Sequence, residues 1–294
     1  MKLPLIPFTG AFFEALATIM EKKILRKKKI DYKEYNMIGF LSIIILLIPI
    51  IILLYYLSPS EFAIKINQQA FTPLNIIILV GVIIFALIAN LFTYYAMKWE
   101  KITELEPLRL LQPLFAIILA LFLFVSERNI KPGIIIAGLI ASFALIFSHI
   151  RKHHFELNKY AISAIMGSLL FAVELIISNE ILSFYPPLVF YLIRCTGILL
   201  LSFIIYKPSL KTIDNVTWRK VFLISFIWIA YRLMLYSTYL SKGPITATLL
   251  FMLTPVFIYT LSYIYLRERL NWRNITASII ILICVAYAMW RNGN

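Results

Sequence analysis

Seven ionisable side chains lie inside long apolar runs of this chain: Glu14, Glu104, Glu106, Arg109, Glu174, Arg194 and Arg232. At the centre of a hydrocarbon layer such a group costs roughly 2.5–3.5 kcal/mol on insertion scales, so each needs a partner or a task. A guanidinium presents a bidentate fork to a carboxylate or phosphate. Arg194 and Arg232 therefore have two open readings: recognition of an anionic group on a solute, or an internal ion pair with Glu174 or Glu14. A carboxylate among apolar side chains takes up a proton more readily than one in water. Glu14 and Glu174 are open to proton coupling or to permanent pairing with an arginine. Glu104 is open to a place in the headgroup region. Glu127 and Glu268, beside arginines at the ends of runs, read as interfacial salt bridges or caps.

Helical spacing groups these residues. Gly10, Glu14 and Thr18 recur every four residues, with Glu21 continuing the stripe, and Gly167, Phe171, Glu174 and Ser178 form a comparable line. A small residue lets two helices approach closely and turns the carboxylate into the bundle. Asn90 and Tyr94 match Arg232 and Tyr236 at an offset of 142 residues. The candidate binding set is thus Glu14, Asn90, Tyr94, Glu174, Arg194, Arg232 and Tyr236. Other constellations fail. His149, His153 and His154 flank a basic loop without carboxylates at metal-ligand spacing. No His-Glu-x-x-His, Gly-x-Ser-x-Gly or Walker loop is present. No metal, cofactor or nucleic-acid partner is expected.

Only helices in lipid could position such groups. Of 294 residues, 62% are hydrophobic and 14% charged, against about 45–50% and about 25% in soluble domains. A single soluble core stops growing near ~250–300 residues, so a soluble enzyme, a disordered chain and a secreted disulfide scaffold are excluded. Cys195 and Cys284 each sit in an apolar run and read as small buried hydrophobes. Hydropathy predicts spans at 4–24, 36–57, 74–97, 103–126, 130–150, 159–182, 187–206, 219–240, 244–266 and 271–290, each near the ~20 residues that cross a bilayer as a helix. The first run follows Lys2 and is interrupted by Glu14, so it reads as a span rather than a signal peptide. The expected fold class is all-α: a polytopic membrane protein of ten transmembrane helices, with Trp and Tyr near span ends marking interfacial belts.

The polar stretch at 151–158 divides the ten spans into five and five, giving expected units at 1–152 and 157–294. Leu91, Tyr94, Leu108, Leu111, Pro113, Phe115 and Leu119 meet Leu233, Tyr236, Leu250, Leu253, Pro255, Phe257 and Leu261 at the offset of 142. A one-residue slip superposes Glu127-Arg128 on Glu268-Arg269. Because five is odd, the halves enter the membrane in opposite orientation. Inverted repeats of this kind are a transporter architecture, with the substrate between the halves near the midplane.

Three stretches carry a family resemblance: Tyr239-Leu-Ser-Lys-Gly-Pro-Ile-Thr-Ala-Thr248, Leu253-Thr-Pro-Val-Phe257 and Leu266-Arg-Glu-Arg-Leu270. They resemble the end of an EamA domain. Leu111-Gln-Pro-Leu-Phe115, Ser126-Glu-Arg128, Gly133 and Gly138 repeat the pattern more loosely. The whole chain resembles a ten-helix member of the drug/metabolite transporter superfamily with two EamA domains. The resemblance implies export or exchange of amino acids and related metabolites by alternating access, with a gradient, protons the simplest, as driving force. Expected partners are the lipid bilayer and a small-molecule substrate, at the cell (plasma) membrane, as a monomer or a homodimer. A lipid flippase or a non-transporting accessory protein of the same fold is the alternative. An intramembrane enzyme would need a nucleophile or metal cluster near one interface, and none is visible.

Charge bears on orientation. The odd-numbered loops carry nineteen Lys/Arg, and the opposite side only six. The positive-inside rule then places both termini outside, whereas the family resemblance implies cytoplasmic termini. A C-terminal alkaline phosphatase or fluorescent reporter distinguishes the two.

Overall fold

The computed structural model describes residues 5–26, 30–57, 66–109, 111–123, 132–149, 158–207, 214–268 and 270–293, and no strand occurs among them. Helices α1 (Leu5–Leu25), α2 (Tyr32–Leu57), α3 (Pro73–Trp99), α4 (Ile102–Arg109), α5 (Leu111–Leu123) and α6 (Pro132–His149) form the first half. The second half consists of α7 (Lys159–Leu182), α8 (Pro187–Tyr206), α9 (Asn215–Lys242), α10 (Pro244–Phe251), α11 (Thr254–Leu261) and α12 (Trp272–Gly293). Several helix starts are written in the sequence. Pro73, Pro187 and Pro244 open α3, α8 and α10, where a missing N–H costs nothing. Asn158 caps α7 by accepting from the backbone N–H of Tyr160 and Ala161 at 3.0 and 2.7 Å. Gly243, at φ 78°, separates α9 from α10 in a conformation that only glycine adopts freely.

The ninth predicted span is broken: it stops at Phe251 and resumes at Thr254. The fourth is described as α4 up to Arg109 and as α5 from Leu111, with residue 110 outside the described residues. Arg109 and Phe251 are themselves related by the offset of 142. Each lies four residues before a proline, Pro113 or Pro255. Proline has no N–H to give to the carbonyl four residues back, and its ring collides with that carbonyl. Neighbouring polar groups take up some of the stranded backbone: Ser168 Oγ donates to the Leu108 carbonyl at 3.0 Å. The Met252 N–H is shared between the Thr248 and Leu249 carbonyls.

The packing pattern is unchanged when the halves are exchanged. The α3–α7 contact has its counterpart in α9–α1, α5–α7 in α11–α1, and α2–α9 in α8–α3, while α2–α8 and α6–α12 are their own counterparts. Glycines permit the two equivalent close approaches. A methyl group on Gly10 would lie 2.6 Å from Phe251 Cε1 and 3.4 Å from Met234 Cβ; one on Gly167 would lie 2.7 Å from Thr93 Oγ1 and 3.3 Å from the Ala89 carbonyl.

Among the described residues, six helical segments are long and apolar enough to cross a membrane: Tyr32–Leu57, Pro73–Trp99, Lys159–Leu182, Pro187–Tyr206, Asn215–Lys242 and Pro244–Leu266. The other predicted spans are less uniform. Glu14, Glu21, Lys22 and Lys23 lower the hydropathy of α1, and the apolar helix Leu111–Leu123 and the apolar parts of α6 and α12 are shorter. The outer faces carry exposed apolar side chains along whole helices, such as Ile45, Ile48, Ile52 and Leu53 on α2 and Ile275, Ile279, Leu282 and Ile283 on α12. A water-soluble monomer does not present such belts; this is a multi-pass membrane protein.

Candidate functional site

The α10–α11 break faces a cavity of about 60 Å³, lined by Glu14, Arg109, Gln112, Pro113, Tyr231, Tyr239, Thr248, Phe251 and Thr254 among others. At ~10–15 Å³ per water, it has room for about four. Glu14 is half-buried at its edge, and its Oε2 accepts from Thr254 Oγ1 at 2.7 Å. Arg109, Arg232 and Tyr231 also face this carboxylate. The hydroxyls of Tyr239 and Thr248 lie 3.3 Å apart on the same wall. A short space thus holds an acid, a guanidinium, an amide and several hydroxyls, with aromatic rings between them: Tyr231 and Phe251 meet edge to face at 5.7 Å.

Behind this cavity lies a second polar cluster. Arg194 Nε donates to Glu174 Oε1 at 2.7 Å, and both side chains are at most 2% exposed. Ser178 donates to the same oxygen at 3.4 Å. The Arg232 guanidinium sits over the rings of Tyr231 and Tyr236, at 5.7 and 6.0 Å. Glu174 Oε2, Arg194 Nη2, Arg232 Nη1 and the Tyr236 hydroxyl are buried with no hydrogen-bond partner among the described residues. So many orphaned polar atoms in one place are uncommon. Tyr231 belongs to both compartments and joins them.

A third group stands toward the basic end of the bundle. Glu21 Oε1 accepts from Trp228 Nε1 at 2.8 Å, from the Tyr35 hydroxyl at 3.2 Å and from the Tyr94 hydroxyl at 3.3 Å. This knot ties α1, α2, α3 and α9 together. Glu21 is seven residues beyond Glu14, about 10 Å along α1, and Arg109 acts electrostatically on both acids. Past the knot lies a charged recess of about 510 Å³, lined by Lys22, Arg26, Lys98, Lys101, Glu100, Glu104, Arg267 and Glu268. Lys22 Nζ donates to the carbonyls of Met97 and Glu100.

Of the seven side chains singled out by sequence, Glu14 lines the cavity. Glu174, Arg194, Arg232 and Tyr236 form the cluster behind it. Tyr94 belongs to the Glu21 knot, and Asn90 donates to the Ala86 carbonyl of its own helix at 2.6 Å and does not line the cavity. Glu14 and Glu174 turn to different helices, one to α11 and the other to α8. Glu104 sits in the charged recess, 3.9 Å from Lys101. Glu268 accepts from the backbone N–H of Thr103 at 3.0 Å, at the first turn of α4, a carboxylate cap favoured by the helix dipole. Glu127, Arg128, Arg269, His153 and His154 lie outside the described residues, as do the side chains of Glu106 and His149. Among the described residues no group of His, Cys, Asp and Glu could hold a metal ion.

Spacing alone missed Gln112, Tyr231, Tyr239, Thr248 and Thr254 as cavity residues. The signal that marks two of them is the repeated proline: Gln112-Pro113 and Thr254-Pro255 occupy equivalent positions in the two halves.

The EamA-like transporter family model matches residues 3–149 and 158–290. Among 28 matching chains of solved structures, one crystal structure of a protein is 17% identical, with a TM-score of 0.69 over 97% of this chain and 96% of that one. No curated protein matches this chain.

Proposed function

The chain belongs to the EamA-like transporter family, and we propose that it is a secondary transporter which carries a small zwitterionic, amino acid-like solute across the plasma membrane. Helices α1, α6, α12 and the pair α4 and α5 complete ten spans in this reading, arranged as two inverted five-helix repeats that rock about the cavity. A broken helix beside a cavity marks a substrate site in transporters of this kind, because unwound backbone at membrane depth is tolerated only where it is buried in protein or lines a cavity. The observation that carries the proposal is the cavity beside the α10–α11 break, where Glu14 and Arg109 offer opposite charges and Thr248, Thr254 and Tyr239 offer hydroxyls. A solute carrying both an ammonium and a carboxylate matches that pairing. Loading requires the halves to part, and the Glu21 knot is the closure between the cavity and the charged recess. The driving force is a gradient, with protons the coupling ion.

The test is uptake into liposomes of a panel of amino acids and related metabolites, with and without a pH gradient. Flux of at least one zwitterion is expected, faster with the gradient, and reduced at least tenfold by Glu14→Gln and by Arg109→Gln. Undiminished flux in both variants overturns the site. The cavity volume of about 60 Å³ favours one other reading, a non-transporting accessory protein, which absence of flux for every solute would select.

A further inference from the structure

We propose that the groove between α2, α3, α7 and α8 binds an anionic phospholipid, its phosphate held by Lys33 and Lys159 and one acyl chain lying along α3. This goes beyond solute transport and does not depend on it. The groove encloses about 440 Å³, well away from the central cavity, and its floor is made by Ile88, Leu91 and Phe92. Ile88 and Ile162 are 37% and 49% exposed on their helices, so the groove opens sideways, where the hydrocarbon lies. Its polar end is at one level of the bundle. Lys33 is in the first turn of α2, Lys159 opens α7, Tyr206 closes α8 and Tyr95 is near the end of α3. From Tyr95 to Ile88 the groove descends seven residues, about 10 Å of helix. An acyl chain extends from its headgroup in that direction.

Charge selects the headgroup. Neither ammonium has a carboxylate at ion-pair distance among the described residues, and the acids next to Lys33 are engaged: Asp31 pairs with Lys98 at 3.0 Å, and Glu34 accepts from the Asp31 N–H at 3.1 Å. The contacts of the two lysines are aromatic faces, Lys33 over Tyr206 at 5.1 Å and Lys159 over Tyr160 at 5.2 Å. These rings hold the stems, and no described carboxylate takes up either cation. By sequence the lysines also stand in the inter-span segments richest in Lys and Arg, where a lipid phosphate is drawn in. The repeat does not reproduce its α3 wall: at the offset of 142, Ala230, Met234 and Ser237 stand in place of Ile88, Phe92 and Tyr95.

The test is native mass spectrometry of the full chain, titrated with phosphatidylglycerol or phosphatidylcholine of the same acyl chains. Phosphatidylglycerol is expected to bind more tightly. Lys33→Gln and Lys159→Gln should each weaken it about fivefold and together about thirtyfold, with phosphatidylcholine unaffected. Ile162→Trp, which fills the groove and removes no charge, should weaken both lipids. Inorganic phosphate in excess should not displace the bound lipid. The control is Arg219→Gln with Lys220→Gln, two exposed cations of the same face outside the groove. An equal loss in that control, displacement by phosphate, or no preference in the unmodified protein overturns the proposal.

Discussion

The Arg194–Glu174 pair makes a demanding test, because its geometry predicts both a magnitude and an order. With a 2.7 Å contact and side chains at most 2% exposed, removal of one partner leaves a buried charge and should cost about 3–5 kcal/mol. Two charges ~4 Å apart interact by about 4 kcal/mol at an effective dielectric near 20, which agrees in size. The two single variants are not equivalent. Glu174→Gln leaves Arg194 and Arg232 with no acid between them, whereas Arg194→Gln leaves Glu174 in the field of Arg232. The loss of the glutamate should therefore lie at the upper end of the range and the loss of the arginine at or below the lower end. In thermal unfolding followed by tryptophan fluorescence these losses amount to roughly 6–15 °C. The double variant Glu174→Leu with Arg194→Met removes both charges and should regain most of the stability. If the pair only braces the bundle, flux returns with it. Single variants that shift the midpoint by less than about 2 °C, or a double variant no more stable than the worse single, would refute the reasoning.

Pro255→Ala supplies the N–H that the Phe251 carbonyl lacks and should close the break between α10 and α11; the expected result is unchanged or higher thermal stability with solute flux lowered about tenfold. Gly167→Ala places a methyl against the backbone of α3 and should cost about 1–3 kcal/mol in denaturant unfolding. Gly10→Ala meets the Phe251 ring instead, so it should leave stability nearly intact and lower flux by moving a ring that lines the cavity. Trp228→Phe or Tyr35→Phe removes a hydrogen bond to the Glu21 carboxylate worth about 1.5–3 kcal/mol; a cysteine placed at Thr248 should then react with a soluble thiol reagent about tenfold faster or more, and an unchanged rate would dismiss the knot as a closure.

The parts legible in the sequence were those set by local chemistry or by repetition. Hydropathy found the helices, Gly10 and Gly167 announced two close helix contacts, and Pro113 with Pro255 marked one repeat position in both halves. What spacing does not encode is the register between different helices. Glu21 was visible as the end of a stripe, yet its donors, Tyr35, Tyr94 and Trp228, arrive from three other helices. Asn90 shares its repeat position with Arg232, but an amide is short enough to bond the carbonyl one turn back while a guanidinium reaches across the bundle. Thr248 and Thr254 escaped because uncharged hydroxyls can be satisfied by their own helix, so their presence in an apolar run raises no alarm.

The repeat and the chemistry are related in a specific way. Exchange of the halves preserves helix packing and the positions of Pro113 and Pro255, but it does not preserve the groups around them. Arg109 stands opposite Phe251, Gln112 opposite Thr254, and Asn90 opposite Arg232. Among the described residues of the cavity, the cluster behind it and the Glu21 knot, acids and guanidinium groups nevertheless balance: Glu14, Glu21 and Glu174 against Arg109, Arg194 and Arg232. A symmetric frame can open toward either side of a membrane at similar cost, which alternating access needs. A cavity with the same group on both walls would hold a solute equally well in two opposed poses. Placing a guanidinium and an amide on one wall and an aromatic ring and a hydroxyl on the other lets the same frame fix one orientation of a solute whose two ends differ.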